Sequence, residues 1–151
     1  MKSILPFFLI VIILLLSGPA YSQSYEQIKK LDTIYIPFKE GKYNVKINFP
    51  VERDGFKNRR YVFNKNKKNV YNFEFKKNAS QAFEKQIINK TFLKRYKGKI
   101  VKINSLEKFD DQDIQCELFN RSKVFYILDF SENKKGIKYR VIFINMCNVR
   151  E

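Results

Sequence analysis

Apolar and polar residues alternate with a period of two over much of this chain, and each such stretch predicts a β-strand with one buried face. Residues 33–38 form the first, followed by a turn at Glu40-Gly41. In the next, Tyr43, Val45, Ile47 and Phe49 alternate with Asn44, Lys46 and Asn48. The pattern places the apolar set on the core side and ends the strand at Pro50. Asp54-Gly55 marks a turn, residues 60–63 a strand, and residues 64–69 a charged turn. Residues 70–76 alternate again, with Tyr71, Phe73 and Phe75 on one face. Ahead of all these, Tyr25, Ile28 and Leu31 recur at three-residue spacing, so residues 24–31 make a short helical or extended lead-in.

The period changes after Lys77. Asn78 and Gln81 fit an N-cap with its reciprocal partner. Ala79, Ala82, Phe83, Gln86, Ile87 and Leu93 then fit one helical face, with Ile88, Phe92 and Tyr96 beside it. Lys94, Arg95 and Lys97 complement a helix C-terminus, and Gly98 supplies a stop. The spacing predicts one main helix over about 79–97. Strands are predicted at 99–104, 114–119, 124–130 and 137–145, with a tight turn at 120–122 and a hairpin turn at 133–136. Gly136 can take positive φ in that turn. Strands, a helix, then strands describe an α+β domain: a single antiparallel sheet of six to eight strands packed by the one main helix.

Residues 1–22 read as a secretory signal. Lys2 gives the positive start, residues 4–16 are apolar apart from Pro6, and Ser17-Gly18-Pro19 breaks the run. Ala20-Tyr21-Ser22 offers small residues at the positions a signal peptidase reads, so cleavage is expected before Gln23. The apolar run is short of the roughly 20 residues a bilayer core needs. The expected product is one domain, residues 23–151, periplasmic or secreted, with Gln23 able to cyclise to pyroglutamate.

The order of elements resembles bacterial relatives of the PsbP/Mog1 fold, small exported proteins built on a curved antiparallel sheet flanked by helices. The residues that carry the resemblance are Tyr43-Asn44-Val45-Lys46-Ile47-Asn48-Phe49-Pro50, an opening strand ending in Phe-Pro; Tyr71-Asn72-Phe73-Glu74-Phe75, the strand before the helix; Gly98-Lys99-Ile100-Val101, the strand after it; and 125–130 with 139–144, a late hairpin. It spans roughly residues 42–145. That fold also carries a helix after its last strand, for which this chain has little sequence left. The resemblance implies little about activity, since such proteins are mostly non-enzymatic or uncharacterised. A cystatin-like or NTF2-like sheet-on-helix fold suits the same order of elements.

Composition removes many chemistries. The chain has no His, so Ser-His-Asp triads, Cys-His pairs and His-ligated metals are excluded. There is no Gly-rich phosphate loop, and no cofactor is expected. Asp110, Asp111 and Asp113, with Glu107 and Glu117, form the one acidic cluster. Paired carboxylates can hydrolyse glycosides or hold Ca²⁺, but Asp-Asp-Gln-Asp lacks the Gly and distal Glu of a calcium loop, and a solvated loop is the plainer reading. A Ser-Lys pair drawn from Ser80, Ser105 or Ser122 is the other hydrolytic option. Cys116 and Cys147 are the only cysteines. An oxidising compartment favours a disulfide between them. A simple strand meander disfavours it, because it sets Cys147 two strands over from Cys116 and five residues along.

Charge is the main functional clue. The formal net charge is +15, or +14 without Lys2. Between residues 53 and 77 nine Lys/Arg face two acids; between 85 and 102 seven face none. This excess suits an anionic partner. The candidate anion-binding surface is Arg59, Arg60, Lys65, Lys67, Lys68, Lys90, Lys94, Arg95 and Lys97, meeting anionic lipid, lipopolysaccharide, acidic glycan or an acidic protein. Lys outnumbers Arg 23 to 7, which suits a merely solvated surface better than bidentate phosphate recognition. Nucleic acid is not the expected partner, because the interleaved aromatics run at strand period and so belong to the core. The alternatives are the hydrolase above and a ligand carrier with an aromatic cavity between sheet and helix. Asp32-Thr33-Ile34 resembles a bacterial O-glycosylation motif, and residues 78–80, 89–91 and 120–122 are N-glycosylation sequons.

Overall fold

The computed structural model describes residues 23–49, 58–76, 87–132 and 135–144. The first element is helix α1, Tyr25–Lys29, opened by a capping box in which the Ser24 hydroxyl accepts from the Gln27 N–H. Six strands follow in chain order: β1 Thr33–Phe38, β2 Val45–Asn48, β3 Asn58–Phe63, β4 Tyr71–Lys76, β5 Val124–Asp129 and β6 Ile137–Phe143. Between β4 and β5 lie the short helices α2, Lys90–Arg95, and α3, Asp111–Asp113, the latter running into a π-helical turn, Ile114–Leu118. The α+β class holds, with six strands in one sheet of order β1-β5-β6-β4-β3-β2.

The sheet is mixed, not purely antiparallel. β1 lies parallel to β5, from Thr33 opposite Val124 to Phe38 opposite Asp129, while every other pair is antiparallel. A parallel pair needs a long crossover, and here everything from β2 to the π turn supplies it. β4 and β6 join through only two paired positions, Phe73–Phe143 and Glu74–Ile142. The two ends of the sheet curl towards each other, so that Phe38 of β1 lies 4.9 Å from Tyr61 and 5.3 Å from Phe63 of β3, ring centroid to ring centroid.

Two apolar clusters fill the two faces. Inside the curl, Phe63, Phe73, Phe119, Phe125 and Phe143 pack ring on ring, over Ile28, Val101, Leu106, Ile114 and Leu118 from the connecting segments. Outside it, Tyr35 and Leu128 are covered by Ile88, Phe92, Leu93 and Tyr96.

Several expected elements take another form. The helix expected over 79–97 is not continuous. Its residues 79–86 lie outside the described residues, Ile87 forms a β-bridge to Ile137, and Asn89 is extended (φ −111°). The Asn89 side chain accepts from the Phe92 N–H and starts α2 there, because Asn is a stronger N-cap than a helix-interior residue and the two β-branched residues before it suit extended backbone. α2 ends at Tyr96, ahead of Gly98, which sits in a 3₁₀ turn. Residues 99–104 touch β1 through a single bridge, Ile100–Tyr35, instead of forming a strand. Residues 114–119 are helical, not a strand, because Asp110 caps the N–H groups of Gln112 and Asp113. The 120–122 turn is present, with the Asn120 Oδ1 accepting from the Ser122 N–H.

Gly136 has φ +68°, and a Cβ there would stand 2.6 Å from the Phe130 ring. Gly136→Ala is therefore expected to lower the unfolding free energy by roughly 1–2 kcal/mol for the backbone alone, read from the urea midpoint. An unchanged midpoint would contradict this turn geometry.

Candidate functional site

The nine candidate basic residues separate into two groups with different employment. Arg59 and Arg60 are neighbours on β3 and point to opposite faces. Arg59 turns inward, its Nη1 4.0 Å from Asp129 and its guanidinium 5.4 Å from the Tyr139 ring centre. Arg60 turns outward, over the Phe49 ring and 4.0 Å from Glu74. Lys65, Lys67 and Lys68 are exposed on the β3–β4 turn, where Lys67 pairs with Glu107 at 2.8 Å. Three of these five cations thus have acidic partners within the protein.

The other four, Lys90, Lys94, Arg95 and Lys97, are exposed on α2 and the turn after it, continued by exposed Lys99 and Lys102. These six cations occupy residues 90–102 without an intervening acid, and none has an ion-pair partner among the described residues. The spacing explains their exposure. Phe92, Leu93 and Tyr96 take the side of α2 that packs on Tyr35 and Leu128, leaving Lys90, Lys94 and Lys97, at i, i+4 and i+7, on the opposite side. On the packed side the rings of Phe92, Tyr96 and Tyr126 are half-buried and that of Tyr35 is buried. Tyr35 stacks on Tyr126 at 5.3 Å, Phe92 lies 4.7 Å from Tyr96, and the Lys138 ammonium stands 4.7 Å from the Tyr126 ring centre.

The acidic cluster is put to structural use. Asp110 caps α3, and Asp111 accepts from the Tyr71 hydroxyl at 3.0 Å and from the Gln115 amide at 2.7 Å. Burial, with the Asp111 hydrogen bond, pushes the Tyr71 phenol above its ordinary range. Glu117 bridges to α1, accepting from Lys29 and from the Tyr25 hydroxyl. The Lys29 hydrogen bond, then that of Tyr25, holds the Glu117 carboxyl below the usual range. A solvated loop therefore describes this segment poorly: it is a capped helical turn tied to its neighbours. Ser105 donates to the Lys102 carbonyl and Ser122 to Asn120, and among the described residues neither has a hydrogen bond from a lysine ammonium; Ser80 lies outside the described residues. Among the described residues no group of three or more His, Cys, Asp or Glu could hold a metal ion, and no helix is long and apolar enough to cross a membrane.

Cys116 is half-buried on the π turn and disulfide-bonded. Cys147, the only other cysteine in the chain, lies outside the described residues. The meander objection to a bridge required residue 116 on a strand opposite Tyr126, and the helical turn removes that premise.

One cluster escapes the sequence pattern altogether. Lys46 stands opposite Tyr61 in the β2–β3 ladder, so it shares the inner face with Tyr61, while Val45 and Ile47 take the outer face. That reverses the orientation expected for this strand. The Lys46 side chain is 6% exposed and that of Asp129 3%. The ammonium lies 3.4 Å from Asp129, 2.7 Å from Glu132 and 3.9 Å from Glu40. Asp129 also accepts from the Tyr61 hydroxyl (3.1 Å) and the Ser131 N–H (2.9 Å). Burial pulls the Lys46 pKa down, but the Glu132 hydrogen bond and the Asp129 charge outweigh it and leave the net shift upward. Burial pushes the Tyr61 phenol well above its ordinary range. The legible sign was Asp129 itself. Phe125, Ile127 and Asp129 point the same way along β5, and an acid in that register calls for a buried cation.

Comparison with protein-family models, with curated proteins and with solved structures finds no match.

Two measurements probe the ion cluster. Lys46→Ala leaves Asp129 buried without its ammonium and is expected to cost about 3 kcal/mol in urea unfolding, whereas Glu132→Gln, at an exposed partner, should cost less than about 1 kcal/mol. Equal costs would mean that burial does not govern the cluster. The Lys46 hydrogen bond, then its charge, lowers the Glu132 carboxyl pKa. A lowered folded-state pKa gives stability present above the unfolded glutamate value, about 4.3, and lost as pH falls through the folded value. The stability difference between wild type and Glu132→Gln should accordingly be present at neutral pH and close below about pH 4. A difference that persists into acid would contradict this linkage.

Proposed function

We propose that this chain is an exported, non-catalytic binding module that docks on an anionic envelope component through the face formed by residues 90–102. The observation that carries the reading is the run of six exposed cations there, with no acid among them and no ion-pair partner among the described residues. A surface merely solvated by lysine would intersperse both signs, as the β3–β4 side does with Lys67–Glu107 and Arg60–Glu74. Export rests on the leader pattern of residues 1–22 and agrees with a disulfide at Cys116. The hydrolytic alternative loses support because Asp110 and Asp111 are engaged as cap and tether. The carrier alternative loses support because Phe92, Leu93 and Tyr96 pack directly on Tyr35 and Leu128 where helix meets sheet.

The test is adsorption at low ionic strength to anionic matrices: phosphatidylglycerol vesicles and a polyuronate-coated surface, each against its neutral counterpart. Wild type should bind at least one anionic matrix and be released as salt shortens the screening length to about 8 Å. Lys94→Glu/Lys97→Glu should weaken retention about tenfold or more, corresponding to roughly 1.4 kcal/mol. Indifference to both anionic matrices would sink the reading.

A further inference from the structure

Resting on that reading, we propose that the partner is a linear acidic glycan carrying carboxylates, laid along the exposed cations of residues 90–102.

Three observations select this partner. First, the apolar residues of α2 are spent on the protein itself. Phe92, Leu93 and Tyr96 pack on the Tyr35–Leu128 cluster, so the helix has no apolar face left to enter a bilayer. Stable attachment of a surface helix to a membrane combines charge with buried apolar area, and this face offers only the charge. Second, the cations follow the chain: Lys90, Lys94, Arg95 and Lys97 along one short helix, then Lys99 and Lys102 beyond it. A row of point charges suits a polymer with one charge per repeating unit, the pattern by which lysine-rich stretches hold acidic polysaccharides.

Third, the aromatic surface is the wrong kind for nucleobases. A base needs an uncovered ring face on which to stack. Tyr126 is stacked on Tyr35 with the planes 17° apart, and the Lys138 ammonium stands over its ring at 4.7 Å. Lys138 also lies 5.8 Å from the Phe92 ring centre, and the Arg95 guanidinium 5.7 Å from that of Tyr96. Each ring is thus paired with a cation. A uronate needs no free ring face, because its carboxylates meet the exposed cations directly. The lysine-rich composition agrees, since five of the six cations are Lys, a compact point charge rather than a phosphate fork.

The experiment titrates the full chain, purified after export, with a size-fractionated alginate (a linear polyuronate), a neutral glucan of equal length, phosphatidylglycerol vesicles and a single-stranded oligonucleotide of equal charge. The expected result is salt-dependent binding of the polyuronate, stronger than of the oligonucleotide, with no binding of the neutral glucan. Lys94→Gln/Lys97→Gln should flatten the dependence of log affinity on log salt by roughly one for each lysine removed, while Lys39→Gln/Lys42→Gln, on the β1–β2 loop, should not. Circular dichroism confirms the fold of each variant. Vesicle or oligonucleotide binding in preference to polyuronate overturns the glycan assignment while leaving an anion-binding module standing. Failure to bind any polyanion removes both.

Discussion

The structure turns on one carboxylate in an apolar place. Asp129 occupies the inward register of β5, in line with Phe125 and Ile127, and an acid so placed is tolerable only with a cation and hydrogen-bond donors brought to it. Lys46 comes from β2, the strand at the far end of the sheet, and Tyr61 from β3. Meeting that requirement draws β2 and β3 back over β5 and defines how tightly the sheet curls. The curl in turn shapes the interior, where Phe38 reaches Tyr61 and Phe63 across the gap. A flat sheet of the same six strands would leave both the charge and these rings unsatisfied.

The outer surface follows from the same geometry. With the inner face closed on itself, the outer side of β1 and β5 needs a separate cover, and α2 with its following turn supplies it. The cover has two sides of different character. Its aromatic side is held against Tyr35 and Leu128, and its charged side faces solvent. Packing energy thus fixes a cationic strip on a rigid base, so its charges are held in place without help from acidic partners.

Much of this was legible in the alternation of residues and some was not. The strands at 33–38, 60–63, 70–76, 124–130 and 137–145 were readable because aromatic and β-branched side chains mark one face clearly, as Tyr71, Phe73 and Phe75 do on β4. The 114–119 segment misled because Ile114, Cys116 and Leu118 alternate like a strand, while the deciding instruction is local: Asp110 caps the helix ahead of them. The single long helix failed for a similar reason, since Asn89 begins a new one. β2 was found but faced wrongly. Tyr43, Val45, Ile47 and Phe49 outweigh Lys46 on any hydropathy count, and only the distant Asp129 determines which side turns in. Which basic residues are already paired was illegible for the same cause, because sequence shows charge but not whether a neighbour such as Asp129, Glu74 or Glu107 already consumes it.

The parallel pairing of β1 with β5 has a further consequence, for the order in which the chain can assemble. Thr33 finds its partner only at Val124, about ninety residues later, and no hairpin offers β1 a nearer one. Contacts of such sequence separation form late and slowly, because the entropy of closing the long loop is spent before any pairing rewards it. A chain made amino end first would therefore hold β1 without its sheet neighbour until residues 124–129 had been added.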